Sequence, residues 1–431
     1  MGHPAPLVPL RASIAAWLAP AVIAAMLFFW WSVLSPITPA PYWNNYLTWT
    51  SDGLQYGLPL AAGGAAWTAR QARPLRHEWK LGSRGALRIL WAHLWPLFAA
   101  VGTGILLTIV SEIIHDGLPA PTWPNLFILL TFAAMAMTAI GAGWLLGTLL
   151  PAPVAVPIAI FGILQWAVFP LTDGSNTSWR NMTGYAVFMC CEFVNNIPDP
   201  RAIFAPVIIG VALGLIAILS VRYEVIYWAS AAVPLLAISI FAAHALAVGT
   251  SATGGQLRSA ADLDCNHDTS LTVCLLPETR MTEGESIVSV LASGYQSAKE
   301  LGVTLPSRVS ETTSETVDPT STTTVDFTGD THPDRLLATY SSAIYQTITC
   351  RPASVPSQLP ATIVVPYSLA LVMGATPEGA LPSIAISLSG EGANSSETEL
   401  SSAQLIDALN VKSKSDALAN VNTWLELQRD C

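Results

Sequence analysis

An uncharged apolar run extends from Tyr227 to Val248 and divides the chain into two parts of different chemistry. About 20 apolar residues are enough for a helix to cross the ~30 Å hydrocarbon core of a bilayer. Apolar segments follow one another before this run, whereas the sequence after it is polar and acidic. The pattern therefore predicts a transmembrane domain over residues 1–249 and a second domain of soluble composition, tethered to the lipid bilayer by the last apolar helix.

The distribution of charge supports the same division. Residues 1–250 contain ten Lys and Arg and eight Asp and Glu, whereas the remaining residues contain nine and twenty-one. Trp, which favours the membrane–water interface, occurs fifteen times, and only Trp424 lies beyond residue 250. An acidic second part without a basic patch argues against a nucleic-acid partner.

Six further apolar runs precede the last one, and together they predict an all-α polytopic bundle of about seven transmembrane helices in the cell membrane. The first run is too long and too aromatic for the short apolar region of a signal peptide. The second run is the weakest, since it contains Pro59, Gly63 and Gly64. The predicted spans lie near residues 17–34, 54–68, 90–110, 126–150, 154–169, 203–219 and 227–248.

Basic residues predict the orientation, because Lys and Arg accumulate in cytoplasmic connections. Arg11 precedes the first span, and the connections at 35–53 and 111–125 contain no Lys or Arg. Arg11 and the next basic cluster can both lie inside only if an even number of spans separates them. This condition favours counting the weak second run as a span. The N-terminus is then cytoplasmic, and the connection 171–202 and the C-terminal domain are extracytoplasmic. The basic cluster comprises Arg70, Arg73, Arg76, Lys80, Arg84 and Arg88.

Two connections carry further information. The inner connection that holds the basic cluster also contains leucines and Trp79. It is either an anchor at the anionic inner leaflet or a docking helix for a cytoplasmic partner. The outer connection contains an apolar stretch, Tyr185–Val194, that is too short to cross a bilayer and predicts a re-entrant or interfacial hairpin.

This layout resembles the membrane subunits, or permeases, of ABC-2-type transporters. The corresponding features are the basic connection, the turn at Pro151–Pro153 and the 171–202 loop, and the resemblance covers residues 1–220. It implies an exporter of a hydrophobic or amphipathic molecule, built as a homo- or heterodimer of membrane subunits. ATP would be bound by a separate cytoplasmic ABC ATPase, since this chain has no Walker A pattern, and no cofactor is expected here. The implied ATPase-coupling residues are Arg73, Arg76, His77, Glu78, Trp79 and Lys80.

The C-terminal part predicts a folded domain. Residues 250–262 have the composition of a flexible linker. Residues 263–431 are long enough for one domain with its own core, and their pattern predicts a smaller, mainly helical α+β domain. Strands are predicted at Val273–Leu276 and Thr322–Phe327, with a mobile loop over most of 307–331. Helices are predicted to begin near residues 282, 333, 366, 400 and 416.

Four cysteines lie in this domain: Cys265, Cys274, Cys350 and Cys431. An even number in an extracytoplasmic domain suggests disulfides, with three possible pairings. We favour Cys265–Cys274, which closes a short loop, and Cys350–Cys431, which fixes the end of the chain. Metal binding is the alternative, although no close CxxC spacing is present.

The segment around Cys274 is similar to the outer domains of some actinobacterial ABC permease-like proteins, and this resemblance implies no reaction. The matching residues are Cys274, Pro277, Glu278, Gly302 and Pro306. Neither an HExxH nor a GxSxG motif occurs, and we expect no enzyme. An acid–base site would have to use His267, Asp268 and Glu278, which we expect on a solvated loop.

We therefore expect a transporter permease whose outer domain binds a substrate or a partner. The alternative is a membrane-anchored sensor or scaffold whose outer domain binds a ligand or partner without transport. The layout does not specify the substrate or the direction of transport, since many cargoes share it.

Overall fold

The computed structural model divides the chain into two compact units. The first unit ends at Gln256 and the second begins at Leu257, with Asn195 joining the second. The predicted boundary at residue 249 lies within the first unit. The structure describes residues 14–29, 31, 43–75, 85–117, 126–172, 177–185, 195–251, 253–267, 270–311, 322–325, 327, 332–347, 361–380, 411 and 413–429.

The first unit is a bundle of α-helices around α2 and α4. Its helices are α1 (Ile14–Phe29), α2 (Trp43–Ala72), α3 (Ala86–Asp116), α4 (Ile128–Leu149), α5 (Ala152–Thr172), α6 (Thr177–Thr183), α7 (Pro200–Arg222) and α8 (Val225–Ala247). A 3₁₀ turn at Arg73–Leu75 continues α2, and a short strand, β1 (Asn196–Pro198), precedes α7. α2 packs against α1, α4 and α5, whereas α4 also packs against α7. Several helices are apolar on most sides, as expected for helices that face lipid.

Four of these helices, α3, α4, α7 and α8, are long and apolar enough to cross a membrane. The predicted total of seven spans is therefore wrong for the part of the chain that the structure describes. The predicted spans near 17–34 and 154–169 overlap α1 and α5, which are apolar but are not among these four helices. The predicted span near 54–68 lies inside α2, whose first half is polar. The fold is consistent with a mostly helical membrane protein.

Glycines allow the central helices to approach each other closely. A Cβ atom at Gly143 or Gly147 of α4 would lie closer than 3.0 Å to the backbone of Ala62 or Ala66 of α2. A Cβ atom at Gly210 of α7 would likewise meet the backbone of α4. The three helices therefore pack backbone against backbone, as small residues allow in membrane bundles. The interpretation of the GxxxG spacings as packing motifs is confirmed at these positions.

Residues 250–262, which are predicted as a flexible linker, contain hydrogen-bonded structure. The amide nitrogen of Asn181 in α6 donates hydrogen bonds to the hydroxyl of Thr250 and, at 2.9 Å, to the carbonyl oxygen of Ser251. β2 (Gly255–Leu257) pairs with β1, and a 3₁₀ turn follows at Ala260–Asp262. Long-range hydrogen bonds thus order a segment whose composition is typical of a linker. In the predicted hairpin 171–202 the structure has α6 and β1, and residues 186–194 lie outside the described part.

The second unit is built on a four-stranded sheet. Its strands are β3 (Asp264–Asn266), β4 (Thr272–Leu275), β5 (Arg308–Glu311) and β6 (Thr322–Val325), in the order β3-β4-β5-β6. β3 is antiparallel to β4, whereas β4, β5 and β6 are parallel. The helix α9 (Pro277–Glu300) makes the crossover from β4 to β5 that parallel strands require. The remaining helices are α10 (Pro333–Thr347), α11 (Ala361–Met373) and α12 (Lys414–Arg429).

Local sequence explains where α9 begins. Pro277 occupies the first turn, where its fixed φ is compatible with a helix and its missing N–H costs nothing. The predicted start at Thr282 was therefore too late. β5 occupies part of the predicted mobile loop 307–331, and this prediction was wrong at residues 308–311. The helix predicted near residue 400 lies outside the described residues.

Candidate functional site

The implied ATPase-coupling segment begins directly at the end of α2. Arg73 and Pro74 are exposed in the 3₁₀ turn that continues this helix. Arg70 lies in the last turn of α2, and its Nη1 atom is buried without a hydrogen-bond partner among the described residues. The structure thus has an exposed, positively charged end of α2. The remaining implied residues, Arg76, His77, Glu78, Trp79 and Lys80, lie outside the described part, and their role stays a prediction.

An apolar groove of about 530 Å³ lies between three helices of the first unit, and we call it the α3/α4/α7 groove. Its walls include Trp91 and Phe98 of α3, Phe132 of α4 and Leu215 of α7. The rings of Trp91 and Phe98 stack with their centroids 5.8 Å apart. Among the residues that the structure describes, no charged or hydroxyl side chain lines the groove. Its volume lies within the range of small-molecule sites, and its chemistry suits hydrocarbon.

Two glycines give the groove its width. A Cβ atom at Gly102 of α3 would meet no other atom within 4 Å, and one at Gly214 of α7 would meet only the Met137 side chain at 3.1 Å. Gln165 and His244, the polar residues that the sequence places inside predicted spans, are both exposed and do not line the groove. The described walls of the groove therefore consist of apolar side chains and glycines.

A buried polar cluster, formed by Arg258, Glu278, Thr279 and Glu311, lies at the carboxyl ends of the parallel strands in the second unit. Glu311 is the last residue of β5 and only 2% of it is exposed. Its carboxylate accepts a hydrogen bond from the backbone N–H of Leu276 and another, at 2.8 Å, from the hydroxyl of Thr279. Both donors belong to the start of α9, where free N–H groups and the helix dipole favour an anion.

Glu278 pairs with Arg258 in the same cluster. The Nη1 atom of Arg258 lies 2.7 Å from the Oε2 atom of Glu278, and the two side chains are 12% and 9% exposed. The expectation that Glu278 lies on a solvated loop is therefore wrong, since it is a largely buried residue in the first turn of α9. His267 is exposed, and Asp268 lies outside the described residues.

The geometry assigns a structural role to this cluster. Ligands of parallel sheets bind at the carboxyl ends of the strands, and phosphates bind at the following helix N-terminus. Here Glu311 already occupies the N-terminus of α9 with a carboxylate of the protein itself. Sequence reasoning missed Arg258 and Glu311. A short strand is indicated here by the alternation of polar and apolar residues after a proline, at Arg308, Val309, Ser310 and Glu311.

The disulfide interpretation is confirmed for one pair. Cys265 and Cys274 face each other across β3 and β4, and their sulfurs are bonded at 2.04 Å. The Nη2 atom of Arg308 lies 3.9 Å from the sulfur of Cys265. Cys350 and Cys431 lie outside the described residues, and their pairing stays a prediction. Within the described part, no group of three or more His, Cys, Asp or Glu residues is arranged to hold a metal ion.

Two tyrosine hydroxyls lie in the core of the second unit without a hydrogen-bond partner among the described residues, those of Tyr340 and Tyr367. Burial raises the pKa of both hydroxyls, and the nearby Tyr295 raises the pKa of Tyr340 further. Both side chains are therefore neutral at physiological pH and act as core residues.

Comparison with known proteins gives no relatives: no family model, no curated protein and no solved structure matches this chain. The bundle, the groove and the buried polar cluster are therefore the basis for assigning a function.

Proposed function

We propose that this chain is the permease subunit of an ABC-type exporter of a hydrophobic or amphipathic molecule. A separate cytoplasmic ATPase binds ATP, and the membrane subunits form a homo- or heterodimer in the cell membrane. The 70–88 connection faces the cytoplasm, and the second unit lies outside. There it binds a substrate or a partner and has no catalytic site.

The observation that carries this proposal is the rigid link between the basic end of α2 and the centre of the bundle. Arg73 is exposed directly after α2, and α2 packs backbone against backbone on α4 through Gly143 and Gly147. A close-packed interface transmits a displacement instead of absorbing it. A protein that binds at Arg73 would therefore move α2 and α4 together.

Helix directions support the proposed orientation. Gly143 meets Ala62 and Gly147 meets Ala66, so α2 and α4 run parallel and end on the same side. The 3₁₀ turn after α2 and the two-residue turn between α4 and α5 then lie at one end of the bundle. In the family that the layout resembles, both of these connections are cytoplasmic, so they must lie at the same end of the bundle.

Purification of the full-length protein from its native membranes in a mild detergent tests the proposal. We expect an ATPase with a Walker A motif to co-purify, and we expect Arg73→Glu combined with Arg76→Glu to reduce its recovery at least tenfold. Lys299→Glu is the matched control, since Lys299 is exposed in the second unit. Absence of an ATPase from the wild-type sample, or an equal loss with Lys299→Glu, would contradict the proposal.

A membrane-anchored sensor or scaffold is the second candidate. It is favoured by α8, in which only 17% of the most apolar segment is buried, so this helix mainly contacts lipid and can serve as a tether. The second unit also has a hydrophobic core of its own. The same purification distinguishes the two functions, because a sensor would recover a partner without an ATP-binding motif.

A further inference from the structure

We propose that the α3/α4/α7 groove binds one anionic phospholipid, with an acyl chain in the groove and the headgroup at Arg88 and Arg222. This inference does not depend on the proposed transport function. It rests on the direction of the three helices, on the charge at one end of the groove and on the shape of its walls.

Two contacts align the three helices at one level of the bundle. The indole Nε1 of Trp144 in α4 donates a hydrogen bond of 3.1 Å to the hydroxyl of Ser220 in α7. The ring of His93 in α3 lies 6.4 Å from the ring of Trp144. The groove reaches this end at Leu87 and Ile218. The start of α3 and the end of α7 therefore lie at the same end of the groove.

Two arginines lie at this end. Arg88 follows Leu87 in the first turn of α3, and Arg222 lies four residues after Ile218, on the same face of α7. Both side chains are exposed, and neither has an ion-pair partner among the described residues. The N-cap residue of α3, Gly85, supplies no side-chain hydrogen bond, so the first-turn N–H groups add positive potential. Glu224 is the acidic residue in the adjacent turn to α8.

Residues that line the groove are also exposed on the surface of the bundle. Trp91 is 57% exposed and Leu215 is 47% exposed, although both line the groove. An acyl chain between three helices gains dispersion contacts on three sides, whereas a chain on a flat helix face gains them on one. A phospholipid with a negative headgroup satisfies both the apolar walls and the positive end. Phosphatidylglycerol is therefore a suitable probe, and phosphatidylcholine with the same acyl chains is its neutral counterpart.

Native mass spectrometry of the full-length protein, released from bilayers that contain equal amounts of the two lipids, tests the proposal. An arginine near a membrane surface favours an anionic lipid by about fivefold, so we expect about 25-fold preferential retention of phosphatidylglycerol. Arg88→Gln with Arg222→Gln should bring the two lipids close to parity, and Arg88→Lys with Arg222→Lys should keep the preference.

A second pair of variants tests the groove itself. Gly102→Leu fills the groove, whereas Gly162→Leu adds the same side chain on α5, where a Cβ atom also meets no atom within 4 Å. We expect Gly102→Leu to reduce retention of both lipids at least fivefold and Gly162→Leu to leave it unchanged, with equal helical circular dichroism. Equal retention of the two lipids by the wild-type protein, or equal losses with the two leucine variants, would overturn the proposal. Absence of a co-purified ATPase would contradict only the transport function.

Discussion

Replacement of Gly147 by Ala tests the close packing of α2 on α4 directly. A Cβ atom at this position would lie 2.7 Å from the carbonyl carbon of Ala66 and 2.8 Å from its Cα atom, whereas ordinary contact begins at 3.4 Å. The clash is with backbone, so no side chain can rotate away. The two helices must therefore separate by about 0.6 Å or more, and a gap of this size forfeits about a quarter of the dispersion energy of each contact.

The expected loss of stability follows from two opposing effects. Overpacking of this kind costs about 1–3 kcal/mol, and the change from Gly to Ala within a helix returns about 0.5–1 kcal/mol. We expect Gly147→Ala to destabilise the bundle by about 1–2 kcal/mol. Gly143→Ala requires the same separation of the same helices, so the double variant should cost clearly less than the sum of the single variants.

The assay is unfolding of the full-length protein in mixed micelles with increasing dodecyl sulfate, followed by helical circular dichroism. Gly162→Ala is the matched control, because a Cβ atom there meets nothing within 4 Å, and it should be neutral or slightly stabilising. If Gly147→Ala unfolds at the same detergent fraction as Gly162→Ala, or if the two glycine substitutions are additive, the backbone contact does not exist as described.

Three further predictions concern the second unit, and hydrogen exchange of the full-length protein is the measurement for each. Glu311→Ala should destabilise the start of α9 by about 3 kcal/mol or more, since it leaves the Leu276 N–H and the Thr279 hydroxyl without their charged acceptor; unchanged exchange in α9 would contradict this. Replacement of both Cys265 and Cys274 by Ser should cost about 2–3 kcal/mol for a loop of this length, and protection of β3 equal to that of the wild type would refute it. Tyr340→Phe should stabilise the unit by about 1 kcal/mol at neutral pH, because its buried hydroxyl has no described partner. Burial raises the pKa of Tyr340, so above about pH 10 the phenol ionises in the unfolded state before it does in the folded state, and the wild-type protein loses stability as the pH rises through this range. The variant should therefore resist alkaline unfolding better than the wild type, and an earlier alkaline transition would contradict this.

The apolar helices were predictable from sequence because hydrophobicity alone determines them, and the number of spans was not. α2 shows why. Its polar N-terminal half includes Thr50 and Ser51, which are fully buried. The hydroxyl of Thr50 donates a hydrogen bond of 2.7 Å to the carbonyl oxygen of Tyr46. The helix backbone thus satisfies this hydroxyl, although the threonine lowers the mean hydropathy of the helix. Such a helix does not resemble a span, although it packs in the centre of the bundle.

Long-range polar contacts within each unit were not predictable for a different reason. Glu311 and Leu276 are 35 residues apart, and Asn181 and Thr250 are 69 residues apart. From composition alone, residues 250–262 were predicted as a linker and residues 307–331 as a loop. No local sequence pattern shows that a residue forms a hydrogen bond with a partner so far along the chain. The Cys265–Cys274 bridge was predictable, since its loop is short enough for local reasoning.

The glycines of the first unit point to two kinds of helix interface with different mechanical properties. Gly143, Gly147 and Gly210 meet backbone atoms, which cannot give way, whereas Gly57 and Gly104 meet the flexible side chain of Met26. Methionine adapts to changes in its surroundings at little cost. α2, α4 and α7 therefore behave as one body, and the contacts of α1 with α2 and α3 can adjust. In α3 only 33% of the most apolar segment is buried, against 72% in α4. Because α3 forms one wall of the groove and carries Arg88 in its first turn, a change in groove width requires movement of α3 relative to α4 and α7.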